Sequence, residues 1–226
     1  RVSIKQGKIL IPSVLTISLI FLFFGFFQPS VLYAAADTSL RTDLNFNYTI
    51  SKHFKSTSYA FIQINDHVSD FNYFEWGTGI QYQTSLKWLS FLLFYQQGYS
   101  KDNDDNWTLE HRPSININTA GAISIFKISN QIRYEYRINQ DWDDYRIKNT
   151  LVVSTPEIFL QPSLCWELYY ENHDKDIMLH RFKLGITRNI SEHVSIGPYI
   201  RFDFGKVDND WKLTRQLFGF HVTINY

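Results

Sequence analysis

The chain has 226 residues with 22 basic and 22 acidic side chains, so its net charge gives no reason to expect a nucleic-acid partner. Its single cysteine, Cys165, excludes an internal disulfide and a zinc site made of thiolates. Glycine and proline are too few for a collagen-like or low-complexity protein, whereas aromatic residues reach 17%.

Residues 1–36 are predicted to be a secretory signal peptide. A basic start precedes an uncharged apolar run over 9–27, and Ala34 and Ala36 match the small residues of a cleavage site. We expect cleavage before Asp37, which leaves a mildly acidic mature chain. The alternative is an uncleaved membrane anchor, because the apolar run approaches the length of a bilayer crossing.

Residues 37–226 are predicted to form one domain, in which apolar and polar residues alternate. In QIRYEYRI (131–138), for example, every second residue is Ile or Tyr and most of the others are charged. Alternation over about eight residues predicts a strand with two different faces. The legible strands, in chain order, cover 41–50, 57–64, 72–84, 87–98, 107–117, 122–138, 145–154, 162–171, 178–190, 194–205 and 212–226.

The apolar faces and the connections both indicate a membrane barrel. Aromatic residues gather toward the ends of the apolar faces, as in Trp76 with Tyr82 and Trp166 with Tyr170, where membrane interfaces place them. Long acidic connections alternate with short connections that carry few acidic residues, which is typical of outer-membrane barrels. We therefore predict an all-β, transmembrane, antiparallel up-and-down barrel of 10–12 strands, and the even counts of bacterial barrels favour 12.

The last strand alternates apolar residues up to its final aromatic side chain. A sheet in lipid must close, so this strand is expected to pair with the first one. The pattern also resembles the signal by which the outer-membrane assembly machinery recognises barrels. The expected location is the outer membrane of a Gram-negative bacterium, with its lipid, its lipopolysaccharide and that machinery as partners. The signal residues are Phe218, Phe220, Val222, Ile224 and Tyr226.

The second half of the chain resembles a family of bacterial outer-membrane barrels known as domain of unknown function 2490 (DUF2490). The resemblance covers roughly 110–226 and lies in RYEYR (133–137), YRIKN (145–149), WELYYEN (166–172) and HRFKLGITRNIS (180–191). The family usually has Arg where this chain has Lys148. Membership implies a barrel and leaves the activity open.

The polar faces of the strands place many charges inside the predicted barrel. These charges could form a lattice of ion pairs that occludes the lumen, or they could line a narrow, mildly basic pore that prefers small anionic solutes. Small barrels are filled by side chains and large ones leave a channel. A barrel of 10–12 strands lies between them, and its small size favours the occluded interior. The predicted lumen-lining charges are Glu75, Glu110, Arg112, Arg133, Glu135, Arg137, Arg146, Lys148, Glu167, Glu171, Arg181, Lys183, Arg201, Asp203 and Arg215.

Catalysis and metal binding have weak support in the sequence. The histidines are scattered, and no outward histidine lies beside an outward serine within a strand, as a lipid-modifying barrel enzyme would require. KDNDDNW (101–107) begins like a calcium loop, but Trp107 replaces the glycine that makes the turn and Pro113 replaces the bidentate glutamate. We therefore predict no enzyme, metal or cofactor, and interpret Cys165 as a small inward-facing filler.

The sequence thus predicts an outer-membrane barrel that is structural or forms a narrow passive pore. Adhesion through the acidic loops is an alternative, and a lipid-modifying barrel enzyme is a more distant one.

Overall fold

The computed structural model describes residues 37–65, 70–102, 106–140, 142–156, 160–208 and 210–226. The predicted signal peptide, 1–36, and parts of the acidic connections lie outside these ranges. Residues 37–226 form one compact unit made of strands. The strands are β1 (Asp37–Thr49), β2 (Phe54–Asn65), β3 (Asp70–Gln83), β4 (Leu89–Lys101), β5 (Trp107–Ile123), β6 (Phe126–Ile138), β7 (Asp143–Ser154), β8 (Gln161–Glu171), β9 (Asp176–Asn189), β10 (Val194–Val207) and β11 (Asp210–Asn225).

The strands close into an all-β barrel in which each strand pairs with its neighbours in the chain. All the predicted strands are present with shifted ends, so the predicted fold class is confirmed. No helix in the described part of the chain is long and apolar enough to cross a membrane.

The closing seam joins β1 to β11 in parallel, with Leu40 opposite Phe218 and Phe46 opposite Ile224. The preference for twelve strands was wrong for the described residues, because eleven strands already close the barrel. Successive hairpins reverse the chain direction, so the first and eleventh strands run the same way and must pair in parallel. The first predicted segment, which was expected to begin at residue 41, begins at Asp37.

The parallel seam predicts which cysteine pairs can be cross-linked. With Cys165 changed to Ser, we expect Leu40→Cys with Phe218→Cys, and Phe46→Cys with Ile224→Cys, to form disulfides, because neighbouring strands lie about 4.8 Å apart. The exchanged pairs, 40 with 224 and 46 with 218, should stay reduced. Mobility on non-reducing gels measures the result, and cross-linking of the exchanged pairs would show an antiparallel seam.

The side chains that face out of the barrel are apolar, and many of those that face in are polar or charged. On β1, Leu40 and Leu44 are 43% and 48% exposed, whereas Ser39 is fully buried. Inside the barrel, Glu135 and Arg201 retain only 1% and 4% exposure. This arrangement is the reverse of a soluble domain and is typical of a transmembrane barrel. Other exposed apolar side chains include Phe91, Leu93, Ile115, Ile117, Ile132, Tyr134 and Phe218.

Short turns gather at one end of the barrel, which we call the turn end, and the acidic connections at the other, which we call the loop end. Two turns share one design. Ser51 Oγ accepts hydrogen bonds from the backbone N–H groups of His53 and Phe54, and Ser191 does the same for the equivalent residues after it. His53 Nδ1 lies 3.0 Å from the carbonyl oxygen of Gln83, which ties the turn to the end of β3.

The C-terminal segment completes the seam at the turn end. Phe218 and Phe220 face outward and are 47% and 39% exposed. The ring of Tyr226 lies 6.2 Å from that of Phe46 on β1 and stacks on His193 at 4.8 Å. The backbone N–H of Tyr226 donates to the carbonyl oxygen of Asn47, so the terminal residue is fixed on both sides.

Candidate functional site

The barrel encloses a cavity of about 900 Å³, to which all of its strands contribute side chains. The lining extends from Asn47 and Thr57 near the turn end to Asn65 and Lys101 at the loop end. The lining of this cavity therefore extends along most of the barrel. The predicted lumen charges that line it directly are Glu75, Arg112, Arg133, Glu135, Arg146, Lys148, Glu167, Arg181, Lys183, Arg201 and Arg215.

The remaining predicted charges lie against the wall, where each is paired with other inward charges. Glu110 accepts from Arg112 at 2.6 Å, and Arg137 bridges Glu110 and Glu171. Asp203 pairs with Arg201 at 3.0 Å. The structure therefore brings all fifteen predicted charges to the inner side of the sheet, either at the cavity or directly behind it.

One network of ion pairs, which we call the Arg112 network, runs along the wall from β3 to β8. Arg112 donates to Glu75 through Nη1 and to Glu110 through Nη2, each at 2.6 Å. Without this guanidinium, Glu75 would be strongly disfavoured as a buried charge, whereas Glu110 would keep Arg137 as a partner. The network continues through Arg137, Glu171, Arg146, Glu135 and Arg133.

A second network, which we call the Arg181 network, covers the wall from β7 to β10. Glu167 pairs with Lys148 at 2.6 Å and with Arg181 at 3.1 Å. Arg181 also contacts Asp203 at 2.9 Å, and Asp203 holds Arg201. Every member thus has a partner of opposite charge, which offsets the cost of burying it.

Neither network crosses the lumen. Each ion pair of the two networks joins groups on the same strand, on neighbouring strands or on strands two apart, including Arg137 with Glu171. The ion pairs run along the barrel wall, and the cavity lies inside them. Among the described residues, the charges are therefore paired along the wall, and no ion pair spans the lumen.

Inward tyrosines, which were not among the predicted lumen-lining residues, extend the networks. Tyr59 and Tyr73 both donate to Glu75, and Tyr169 donates to Glu167 at 2.8 Å. Tyr199 donates to Asp43, which also pairs with Arg41 at 2.6 Å. The alternation of Leu40, Leu44 and Phe46 could have identified Arg41 and Asp43 as inward, but the first two segments alternate less clearly than the later ones.

Two inward aromatic rings lie flat on glycines of the neighbouring strand. A Cβ atom on Gly79 would be 2.4 Å from Phe94 Cδ2, and one on Gly219 would be 2.1 Å from Tyr199 Cζ. Only glycine leaves room for a ring at these distances, and such pairs are a known device of barrels. Because the rings lie against the wall, they occupy less of the lumen than rings that point to the axis.

Positive charge predominates around the cavity. Ten lining residues are basic and four are acidic. Basic residues still outnumber acidic ones when the paired carboxylates behind the lining are added to the count. The basic residues are Arg41, Lys101, Arg112, Arg133, Arg146, Lys148, Arg181, Lys183, Arg201 and Arg215, and the acidic ones are Asp43, Glu75, Glu135 and Glu167.

The turn end of the lumen is largely uncharged. A smaller cavity of about 330 Å³ lies there, lined by amides and hydroxyls such as Gln81, Gln131 and Thr150, with Lys87 as its charged residue. Gln131 donates to Asn118 at 2.7 Å, and Gln81 donates to Ser90 at 2.9 Å. Charge is therefore concentrated in the rest of the lumen, where the two networks lie.

Among the described residues, the hydrogen bonds of the imidazole rings go to groups other than serine hydroxyls. His111 faces outward and contacts Tyr95 at 2.5 Å and Gln97 at 3.4 Å. His180 packs edge-on against Trp211, with ring centroids 4.1 Å apart, and His221 lies 3.1 Å from Thr187.

No group of three or more His, Cys, Asp or Glu side chains within the described ranges is placed to hold a metal. Asp104 of the calcium-like segment lies outside those ranges. Cys165 is buried and lines the cavity.

Comparison with known proteins gives a family and distant structural likenesses. A solved anion-selective porin from Comamonas acidovorans is 15% identical, with a TM-score of 0.38, over 74% of this chain and 54% of that one. The chain thus spans about half the length of that porin. No curated protein matches the chain. The model of the family described as protein of unknown function (DUF2490) matches residues 40–214, so this chain belongs to the DUF2490 family.

Proposed function

We propose that the protein is an integral outer-membrane barrel that forms a narrow, passive passage for small anions. The observation that carries this proposal is the larger cavity, to which every strand contributes side chains, with ten basic and four acidic side chains on its wall. A pore wall with excess positive charge concentrates anions and repels cations.

The outward face supports the membrane location. Large apolar side chains, including Leu93 at 63% and Ile115 at 54% exposure, would be unfavourable in water as a continuous surface. In a bilayer the same surface faces hydrocarbon, and a closed barrel leaves no unpaired sheet edge there. The lipid and lipopolysaccharide of a Gram-negative outer membrane, and its barrel assembly machinery, are accordingly the proposed partners.

The cavity volume limits the solutes. A volume of about 900 Å³ spread over a hydrocarbon thickness of about 30 Å corresponds to a mean cross-section of roughly 30 Å². Such a passage suits small ions that keep part of their hydration shell. Larger solutes, of the size of drugs or oligosaccharides, would be excluded.

Conductance in planar bilayers tests the proposal. We expect small, steady single-channel currents and a reversal potential in a KCl gradient that favours chloride over potassium by a few-fold. Since the Debye length falls from about 10 Å at 0.1 M to about 3 Å at 1 M salt, this preference should weaken as salt is raised. A folded protein that does not conduct, or that prefers cations, would contradict the proposal.

A purely structural role is the second candidate, and the two ion-pair networks favour it. Buried, well-paired charges on so many strands can rigidify a wall whether or not solutes pass, as Arg181 does between Glu167 and Asp203. The same bilayer measurement separates the two roles, since a purely structural barrel would carry no current under any ion gradient.

A further inference from the structure

We propose that Lys183 forms the site at which a small anion binds inside the lumen. This inference rests on the proposed function and gives the passage one specific point of anion contact. The ligand class is a small inorganic anion or a short carboxylate, held by an ammonium group and by neighbouring hydroxyl groups in the cavity wall.

Lys183 differs from the other basic residues of the cavity in its pairing. Each of the other nine lies within 4 Å of a carboxylate, as Lys148 does with Glu167 at 2.6 Å and Lys101 with Asp70 at 3.7 Å. Among the described residues, no carboxylate lies that close to Lys183 Nζ. Its contact is the ring of Tyr199, whose centroid lies 4.8 Å away.

Two carboxylates on the same wall as Lys183 are already paired with other cations. Glu167 interacts electrostatically with Lys183, but it is held directly by Lys148 and Arg181. Asp43, on the other side of Tyr199, is paired with Arg41. A mobile anion therefore meets less competition at Lys183 than at any paired cation of the wall.

The neighbours of Lys183 on the adjacent strands are Cys165 on β8 and Arg201 on β10. Ser163, two residues from Cys165 on β8, and Thr187, four residues from Lys183 on β9, also line the cavity. Both carry hydroxyl groups that can donate to an anion. An ammonium group exchanges hydrogen-bond partners easily, so binding here would be weak enough for release.

The single cysteine of the chain provides a test that does not depend on conduction. Methanethiosulfonate reagents convert the Cys165 thiolate to a mixed disulfide and release methanesulfinate. We expect the anionic sulfonatoethyl reagent to react about tenfold faster than the cationic trimethylammonium-ethyl reagent of similar size, because Lys183 is adjacent. The ratio of the two rates cancels any effect of Lys183 on the reactivity of the thiolate itself.

Two variants decide the result. Lys183→Met should reduce the ratio to about twofold or less, whereas Lys52→Met, which removes the same charge from the exposed β1–β2 turn, should leave it unchanged. A ratio that survives in Lys183→Met would overturn the proposal, and so would a Cys165 that reacts with neither reagent in the folded protein. Heat-dependent mobility on gels verifies that each variant is folded.

The outcomes also separate this inference from the proposed function. A protein that does not conduct, but whose Cys165 shows the Lys183-dependent ratio, would overturn the pore and support an anion site in a closed cavity. A protein that conducts anions, with a ratio that Lys183→Met does not change, would support the pore and overturn the site.

Discussion

Replacing Arg112 by Met is expected to destabilise the folded barrel by about 3–5 kcal/mol, the typical cost of leaving a buried charge without its partner. The guanidinium of Arg112 is the hydrogen-bonded cation of both Glu75 and Glu110, each at 2.6 Å. Glu75 is only 6% exposed. After the substitution it keeps hydrogen bonds from Tyr59 and Tyr73, but no cation remains within ion-pair distance.

Urea unfolding of the refolded barrel measures this effect, and a double substitution tests its cause. Combining Arg112→Met with Glu75→Gln removes both charges and should recover part of the lost free energy of unfolding. Lys212→Met is the control, because Lys212 pairs with Asp208 at the surface, where side chains are 52% and 86% exposed. If Arg112→Met is no more destabilising than this control, water in the lumen screens the network and the charges are not structurally coupled.

Replacing Leu93 by Arg is expected to cost about 2–4 kcal/mol in a lipid bilayer, the range for a cationic side chain at the middle of a transmembrane barrel. Leu93 lies in the middle of β4 and is 63% exposed on the outer face. Because the barrel would present this side chain to hydrocarbon, the arginine must either be desolvated or draw water into the membrane.

Ile123→Arg is the matched control for this prediction. Ile123 is 68% exposed, but it is the last residue of β5 and lies in a hairpin at the turn end. The same charge should cost only about 0–1 kcal/mol near a membrane interface. Unfolding in lipid vesicles compares the two variants. Equal, small effects would show that the outer face meets water and would contradict the membrane location.

The period-two pattern was sufficient to predict the strands and their faces. In QIRYEYRI, the alternation placed Arg133 and Glu135 on one side, and both line the cavity. This works because the pleat of a strand sends successive side chains to opposite faces, whatever the strand pairs with. The pattern was weakest in the first two segments, where Arg41 and Asp43 were missed.

The strand count shows the limit of such local information. An even number is a regularity of known bacterial barrels, whereas closure requires only that the first and last strands can form hydrogen bonds. Alternation carries no information about the direction of a neighbouring strand. The parallel seam between β1 and β11, and with it the odd number, follows from the assembled sheet.

The partners within the lumen also depend on the assembled sheet. Parity predicts that Arg112 and Glu75 face inward, but their ion pair connects strands two apart across β4. The flat ring of Phe94 likewise requires Gly77 and Gly79 beside it on β3.

The residue order alone established the period, the two faces and therefore the barrel, because these follow from the geometry of a single strand. Tertiary structure decided the direction of the seam and the pairing of the charges. It also placed Lys183 without a carboxylate partner among the described residues. Those features depend on register and closure, which place residues far apart in the chain side by side.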